Sequence, residues 1–302
     1  MTTVAIVGAG LIGRSWALVF ARAGLSVRVW DADPEVLERL SANIGTMIGD
    51  AGADPAIADR VTAFLTLAET LDGAEWVQEN GPEKLEVKRA LFAELDRMAA
   101  PDTILASSSS ALMPSAWSEG LAGAARCLVA HPVNPPHLVP IVELCPSPRT
   151  TPEVMDRAEA LFRRVGQVPA RLNREIEGFV LNRLQAVLLA ESLRLISEGV
   201  VGVEGLDDTV RHGLGRRWAF MGPLETIHLN APGGVPDYMR RFGPTLAALT
   251  DSAARGEAFT EDAGRIVSGA FPGIDIRGRQ DWRDRELAAL DRHLRCRIER
   301  NN

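Results

Sequence analysis

His131 and Glu143 are the residues of this 302-residue chain whose types and spacing first suggest proton-transfer chemistry. They bound the stretch HPVNPPHLVPIVE. An imidazole titrates near neutral pH and can take or give a proton. A carboxylate inside an otherwise apolar strand is costly unless a positive or hydrogen-bonding group meets it. The two could therefore form a base and its orienting acid. Taken alone, the stretch reads first as a capped turn followed by an edge-strand acid. Pro132, Pro135 and Pro136 fix φ and stiffen the chain that follows His131.

A second set lies at the start of the chain: Gly8-Ala9-Gly10-Leu11-Ile12-Gly13, with Asp31 further on. The apolar run Thr3 to Val7 leads into it, an apolar-faced segment from Ser15 to Ala23 follows, and Ser26 to Trp30 precedes the acid. Strand, G-x-G-x-x-G, helix, strand and acid in one such unit form a dinucleotide-binding fingerprint. Gly8 would allow the tight turn, Gly10 the approach of a pyrophosphate, and Gly13 close packing of helix on strand. The helix opening around Leu11 and Ile12 offers unpaired N–H groups and a partial positive charge. Asp31 would accept hydrogen bonds from ribose hydroxyls and repel a 2′-phosphate, so NAD is expected rather than NADP. FAD proteins share the fingerprint, and a glycine-rich turn without a ligand is the plainer alternative. The complete unit favours the dinucleotide. A third polar set, Ser107 to Ser110, closes the strand Thr103 to Ala106, at the kind of strand end where open α/β sheets bind ligands.

These residues need a sheet to hold them. Short apolar runs alternate with helical periodicity through the first half. Helices are expected over Pro34 to Met47, Leu67 to Leu71, Glu83 to Met98 and Thr151 to Val165. Further strands are expected over Val61 to Leu65, Glu75 to Gln78, Cys127 to Ala130, Leu138 to Leu144 and Val168 to Leu172. From Phe179 to Glu198 comes a long helix, apolar around much of its circumference, and the chain is mostly helical from there. The fold class is therefore α/β. A Rossmann-type domain is expected over residues 1–175, and an all-α domain over 176–302.

Composition limits the rest. Hydrophobic content of 46% and charged content of 24% are those of a globular protein. A net charge of -7 makes nucleic acid a poor partner. Cys127, Cys145 and Cys296 show no paired spacing, which argues against a disulfide frame or a metal site. No basic, apolar leader opens the chain and no run is long enough for a membrane span. A cytoplasmic setting is the expectation.

In order and spacing, the fingerprint with Asp31, the serine run ending in Ser110, His131, Glu143 and the GFVLNR segment Gly178 to Arg183 resemble the 3-hydroxyacyl-CoA dehydrogenase superfamily. HPVNPP, GLGRRWAFM, GPLETIHLNA and WRDRELAAL are similar to its lambda-crystallin / L-gulonate 3-dehydrogenase branch. The resemblance implies NAD-dependent oxidation of a hydroxyl. It implies His131 as the base, Glu143 as the acid that orients it, and Ser110 and Asn182 as groups near the substrate oxygen. It places Glu83 and Lys88 near the nicotinamide ribose and ring, and it implies a homodimer through the helical domain. The superfamily includes acyl-CoA, carnitine and sugar-acid dehydrogenases. Lambda-crystallin relatives also include proteins accumulated for bulk structural use.

Charge discriminates between these substrates. CoA carries phosphates that a site ordinarily meets with Lys or Arg. The acyl-CoA members are lysine-rich in the region that matches Pro34 to Gly73. Here that region holds only Arg39 and Arg60 against Glu35, Glu38, Asp50, Asp54, Asp59, Glu69 and Asp72. A small 3-hydroxy acid, L-gulonate first, is the expected substrate, with 3-hydroxybutyryl-CoA and L-carnitine as alternatives. Arg183, Arg216 and Arg217 are candidates to meet its carboxylate, and His228 and Asn230 to line its pocket.

Overall fold

The computed structural model describes residues 2–50, 52–251, 259–270 and 275–301. Eight strands form one sheet: β1 (Thr3–Val7), β2 (Ser26–Trp30), β3 (Val61–Ala63), β4 (Trp76–Glu79), β5 (Ile104–Ser107), β6 (Cys127–Pro132), β7 (Ile141–Pro146) and β8 (Val168–Arg171). Their order is β3-β2-β1-β4-β5-β6-β7-β8. Neighbours are parallel except β6 and β7, which run antiparallel. The carboxyl ends of β1, β2, β4, β5 and β6 therefore share one edge.

The inner strands are buried on both faces, which explains their unbroken apolar runs. On one face lie helix Leu11–Arg22 and helix Pro152–Arg164, whose Trp16 and Phe20 pack on Phe162, which in turn meets Trp76 of β4 edge-on. On the other lies helix Leu85–Met98, whose Phe92 packs on Trp117. Each of these fully buried rings contributes roughly 1.5–3 kcal/mol, so the sheet edge is fixed from both sides.

The chain divides into two compact units, Met1–Val180 with Gln280–Asn302, and Leu181–Arg279. The division expected from the sequence at 175/176 gave the terminal helix to the second part, whereas most of it groups with the first. Two other details differ from expectation. The segment Pro34 to Met47 is not one helix but two, Pro34–Glu38 and Leu40–Asp50, interrupted at Arg39. Both pieces turn apolar residues (Leu37, Leu40, Ile44, Ile48) into the same core, so the apolar periodicity runs through the break. In the second unit, the helical run expected from the sequence is α-helical over Val203–Asp208 but widens to a π turn over Thr209–Leu214. The long helix there is Leu181–Ser197. Among the described residues, no helix is long and apolar enough to cross a membrane.

Candidate active site

The antiparallel register sets His131 directly opposite Glu143. Directly paired residues project to the same face of a sheet, so two residues twelve apart in sequence meet. His131 Nδ1 lies 2.8 Å from Glu143 Oε2, with the two residues only 6% and 3% exposed. The other carboxylate oxygen accepts the N–H of Val180 at 2.9 Å. A carboxylate partner selects the tautomer with the proton on Nδ1, which leaves the lone pair on Nε2. Phe179 covers the imidazole, ring centroid to ring centroid 5.4 Å, and is itself fully buried. Its φ of 50° lies in the left-handed region, uncommon for an aromatic residue. That turn of the backbone presents the next N–H to Glu143.

The glycine turn is built as its spacing requires. Gly8 has φ of 94°, and a Cβ there would lie 2.9 Å from the carbonyl of Asn80. A Cβ on Gly13 would lie 1.8 Å from the Gly8 oxygen. At Gly10 a Cβ would meet nothing within 4 Å, leaving an exposed backbone surface in front of the turn. Helix Leu11–Arg22 starts there with no side-chain cap and no acid in its first turn, so its N–H groups keep their attraction for an anion. Asp31 is oriented by two backbone donors, Ala9 N–H to Oδ2 at 2.6 Å and Asp33 N–H to Oδ1 at 2.9 Å. A pyrophosphate and a ribose diol fit this cradle.

The serine run divides between two hydrogen-bond networks. Ser107 donates to Glu79 Oε2 at 2.6 Å. Glu79 also accepts Lys88 Nζ on both oxygens, at 3.0 and 2.9 Å, and the N–H of Gly81. Ser108 points into the other network: its hydroxyl accepts from Trp16 Nε1 and Gln78 Nε2 and donates to Asn80 Oδ1. Gln78 continues to the carbonyl of Ala130, the residue before His131. Ser109 donates to Glu83 at 2.5 Å, and Ser110, exposed at the rim, gives its N–H to the same carboxylate at 3.1 Å. Burial works against the charge of Glu83. The Ser109 hydroxyl, the N–H groups of Ala111 and Leu112 and the charge of Lys88 outweigh it and hold the carboxyl below the usual range.

The sheet thus gathers the glycine turn, Asp31, Glu83, Ser110, His131 and Glu143 on one edge of the first unit. Lys88 is on the same side but 1% exposed, with its ammonium already on Glu79. The sequence pattern had not singled out Gln78, Glu79 and Asn80. The signal was present as three consecutive polar residues at the carboxyl end of an apolar strand. His137, in the loop after His131, was also passed over. Burial chiefly pushes its pKa down to about 4, with Asp284 opposing and Arg22 and Arg14 reinforcing the shift, and among the described residues its Nδ1 finds no hydrogen-bond partner.

In the second unit, Asn182 and Arg183 occupy the first turn of helix Leu181–Ser197. Arg216 and Arg217 are exposed on the short helix Gly215–Trp218. His228 lies in helix Pro223–Leu229 with its ring against Gly234, where a Cβ would come within 2.6 Å of Cε1, and Asn230 ends that helix. Packing at this turn explains His228 without a ligand.

Similarity to known proteins agrees with this geometry. Residues 3–176 match the family model "3-hydroxyacyl-CoA dehydrogenase, NAD binding domain", and residues 178–265 match "3-hydroxyacyl-CoA dehydrogenase, C-terminal domain". The chain is 50% identical over 303 residues to a lambda-crystallin homolog of Bos taurus, covering 95% of this chain and 94% of the relative. It is 40% identical over 295 residues to a 3-hydroxyacyl-CoA dehydrogenase of Gibberella moniliformis, covering 95% and 85%. Among solved structures, it resembles an NAD+-dependent dismutase, the 5-dehydrogenase of 5-formyl-3-hydroxy-2-methylpyridine 4-carboxylic acid. The TM-score is 0.84 at 25% identity, over 98% of this chain and 99% of that one.

Proposed function

The chain belongs to the 3-hydroxyacyl-CoA dehydrogenase family, NAD-dependent enzymes that act on a CH–OH group, and on that premise we propose that it oxidises the 3-hydroxyl of a small hydroxy acid, L-gulonate first. NAD is its cofactor. The observation that carries the reaction type is the His131–Glu143 pair, buried and in contact at the carboxyl edge of a sheet that also carries the glycine turn.

The glycine turn, the opening of the helix at Leu11 and Ile12, and Asp31 would hold NAD, which when bound supplies the hydride acceptor. The protein's own part is proton transfer and alignment. His131 Nε2 takes the hydroxyl proton as the carbon gives up hydride. Glu143 holds the imidazole in the required tautomer and stabilises the imidazolium that forms. The Val180 N–H keeps the carboxylate from rotating away, and Phe179 excludes water from one face of the ring. Ser110 steadies the oxygen as it changes from hydroxyl to carbonyl.

The choice of a small acid rests on charge. In the helices after β2, Arg39 pairs with Glu35 at 3.7 Å and Arg60 donates to the Gly24 carbonyl, so the two cations of that region are engaged there. Glu35, Glu38 and Asp59 remain exposed. Such a surface repels the phosphates of CoA. Arg183, Arg216 and Arg217 are the candidates for the substrate carboxylate. The solved relative that acts on a pyridine carboxylic acid fits a small-acid site. The relative named as a 3-hydroxyacyl-CoA dehydrogenase favours the CoA ester instead. Initial rates with L-gulonate, 3-hydroxybutyrate, L-carnitine and 3-hydroxybutyryl-CoA decide the matter. L-Gulonate should give the highest kcat/KM, and faster turnover of the CoA ester would sink the small-acid assignment. NADH formation with none of them would leave a crystallin-like, NADH-binding structural protein as the better reading.

The active form we propose is a homodimer through the helical unit. Leu184, Val187 and Leu188 form an exposed apolar stripe at helical spacing, 64%, 69% and 40% accessible. Isolated chains rarely leave such a stripe open, and a two-fold pairing of identical faces covers it.

A further inference from the structure

We propose that Glu83 is a positioning residue that shapes the loop Ser109 to Leu112 and so places the Ser110 hydroxyl. This rests on the substrate-contacting role given to Ser110 above. Four donors converge on a single oxygen, Glu83 Oε1: the Ser109 hydroxyl at 2.5 Å and the backbone N–H groups of Ser110, Ala111 and Leu112 at 3.1, 3.0 and 3.3 Å. Three successive N–H groups turned towards one point define a concave backbone that binds an anion. Here the anion is a side chain of the protein. The other oxygen, Oε2, faces Lys88 Nζ at 3.7 Å.

Lys88 is the anchor beneath. Its ammonium is buried and bonded to both oxygens of Glu79, which in turn holds Ser107 and the N–H of Gly81. A buried ammonium is tolerable only when paired in this way. Carboxylate, ammonium and carboxylate thus link the end of β4, the start of helix Leu85–Met98 and the loop after β5. The side chain of Glu83 is 38% exposed, so its orientation is set by the loop and Lys88 and not by burial. Its first effect is on where Ser110 stands, before any contact with a ribose.

The test compares Glu83→Ala and Glu83→Gln with Glu86→Gln, an exposed acid in the first turn of helix Leu85–Met98, as control. Amide hydrogen exchange of the protein without NAD reads the loop directly. In Glu83→Ala the amides of Ser110 and Ala111 should exchange roughly tenfold faster or more, and that of Leu112, which also bonds the Ser109 hydroxyl at 2.9 Å, less so. In Glu83→Gln, which keeps an acceptor oxygen, they should change several-fold less. At saturating NAD and hydroxy acid, kcat of Glu83→Ala should fall on the order of a hundredfold, while its Kd for NADH stays within about threefold of the parent. Unchanged exchange in Glu83→Ala would overturn the proposal. So would normal kcat at saturation with weakened NADH binding, which would make Glu83 a cofactor ligand only. If the parent protein oxidises no hydroxy acid, the functional reading fails by itself, and the exchange comparison still decides whether Glu83 orders the loop.

Discussion

In the first unit the sheet buries Val4 to Val7, Val77, Leu105 and Leu128 to Ala130 completely, and its polar edge residues bond mainly to one another. In the second, the described buried apolar residues are small or few (Ala190, Ile196, Ala231, Ala263), while Leu184, Val187, Phe220, Leu224 and Leu249 are exposed by more than half. The first unit has a closed core and a tightly bonded polar edge. The second carries an apolar surface that, among the described residues, its helices leave exposed. The proposed acid–base step calls for the rigidity of the first, and the proposed homodimer for the open surface of the second.

That contrast can be broken at several points. The largest effect is expected at Glu143. Glu143→Gln keeps the shape but releases the tautomer of His131, and kcat should fall by roughly two to four orders of magnitude in steady-state assays. Retention of kcat would mean that the site does not depend on the dyad. Gly13→Ala should come next. Its Cβ would lie 1.8 Å from the Gly8 carbonyl, so the turn must move, and NADH titration should show at least tenfold weaker binding, about 1.4 kcal/mol or more. Val187→Glu, in the second unit, should shift light scattering from dimer to monomer while cofactor binding persists. A monomeric parent would remove the explanation given for the apolar stripe.

The smallest effect concerns pH. His137 is held neutral by the fold, with a pKa of about 4. Unfolded, it titrates near the ordinary histidine value of about 6.5. Below that value the unfolded chain binds a proton that the folded one does not. The contribution of this residue is therefore intact above pH 6.5 and is lost as pH falls towards 4. The loss is about 1–3 kcal/mol, the lower part of that range applying because the ring is only partly buried. In His137→Asn, urea unfolding between pH 6.5 and 4 should show a shallower fall in stability than in the parent. An identical slope would move the acid sensitivity elsewhere.

What was legible in the sequence follows the same division. Gly8, Gly10, Gly13 and Asp31 act within one local unit, so their spacing carried their geometry. His131 and Glu143 were readable as a pair because both lie on neighbouring strands, and only the antiparallel register had to be supplied. The serine run was readable as a polar cluster at a strand's carboxyl end, but not the split that sends Ser107 to Glu79 and Ser108 to Gln78 and Asn80. That split depends on strand order across β4, β5 and β6. The pairing of Lys88 was not legible, because Glu79, nine residues back, belongs to a strand. The interruption at Arg39 was hidden because both helices face one core. Arg183, Arg216 and Arg217 were legible by residue type and not by spacing.

The central claim is that His131 is the base of an NAD-dependent hydroxy-acid dehydrogenase. His131→Ala, assayed for NADH formation with L-gulonate and titrated in parallel with NADH, tests it directly. The account predicts that kcat falls roughly 10²–10⁴-fold while NADH affinity is unchanged. Turnover close to that of the parent, with NADH still bound, would contradict it.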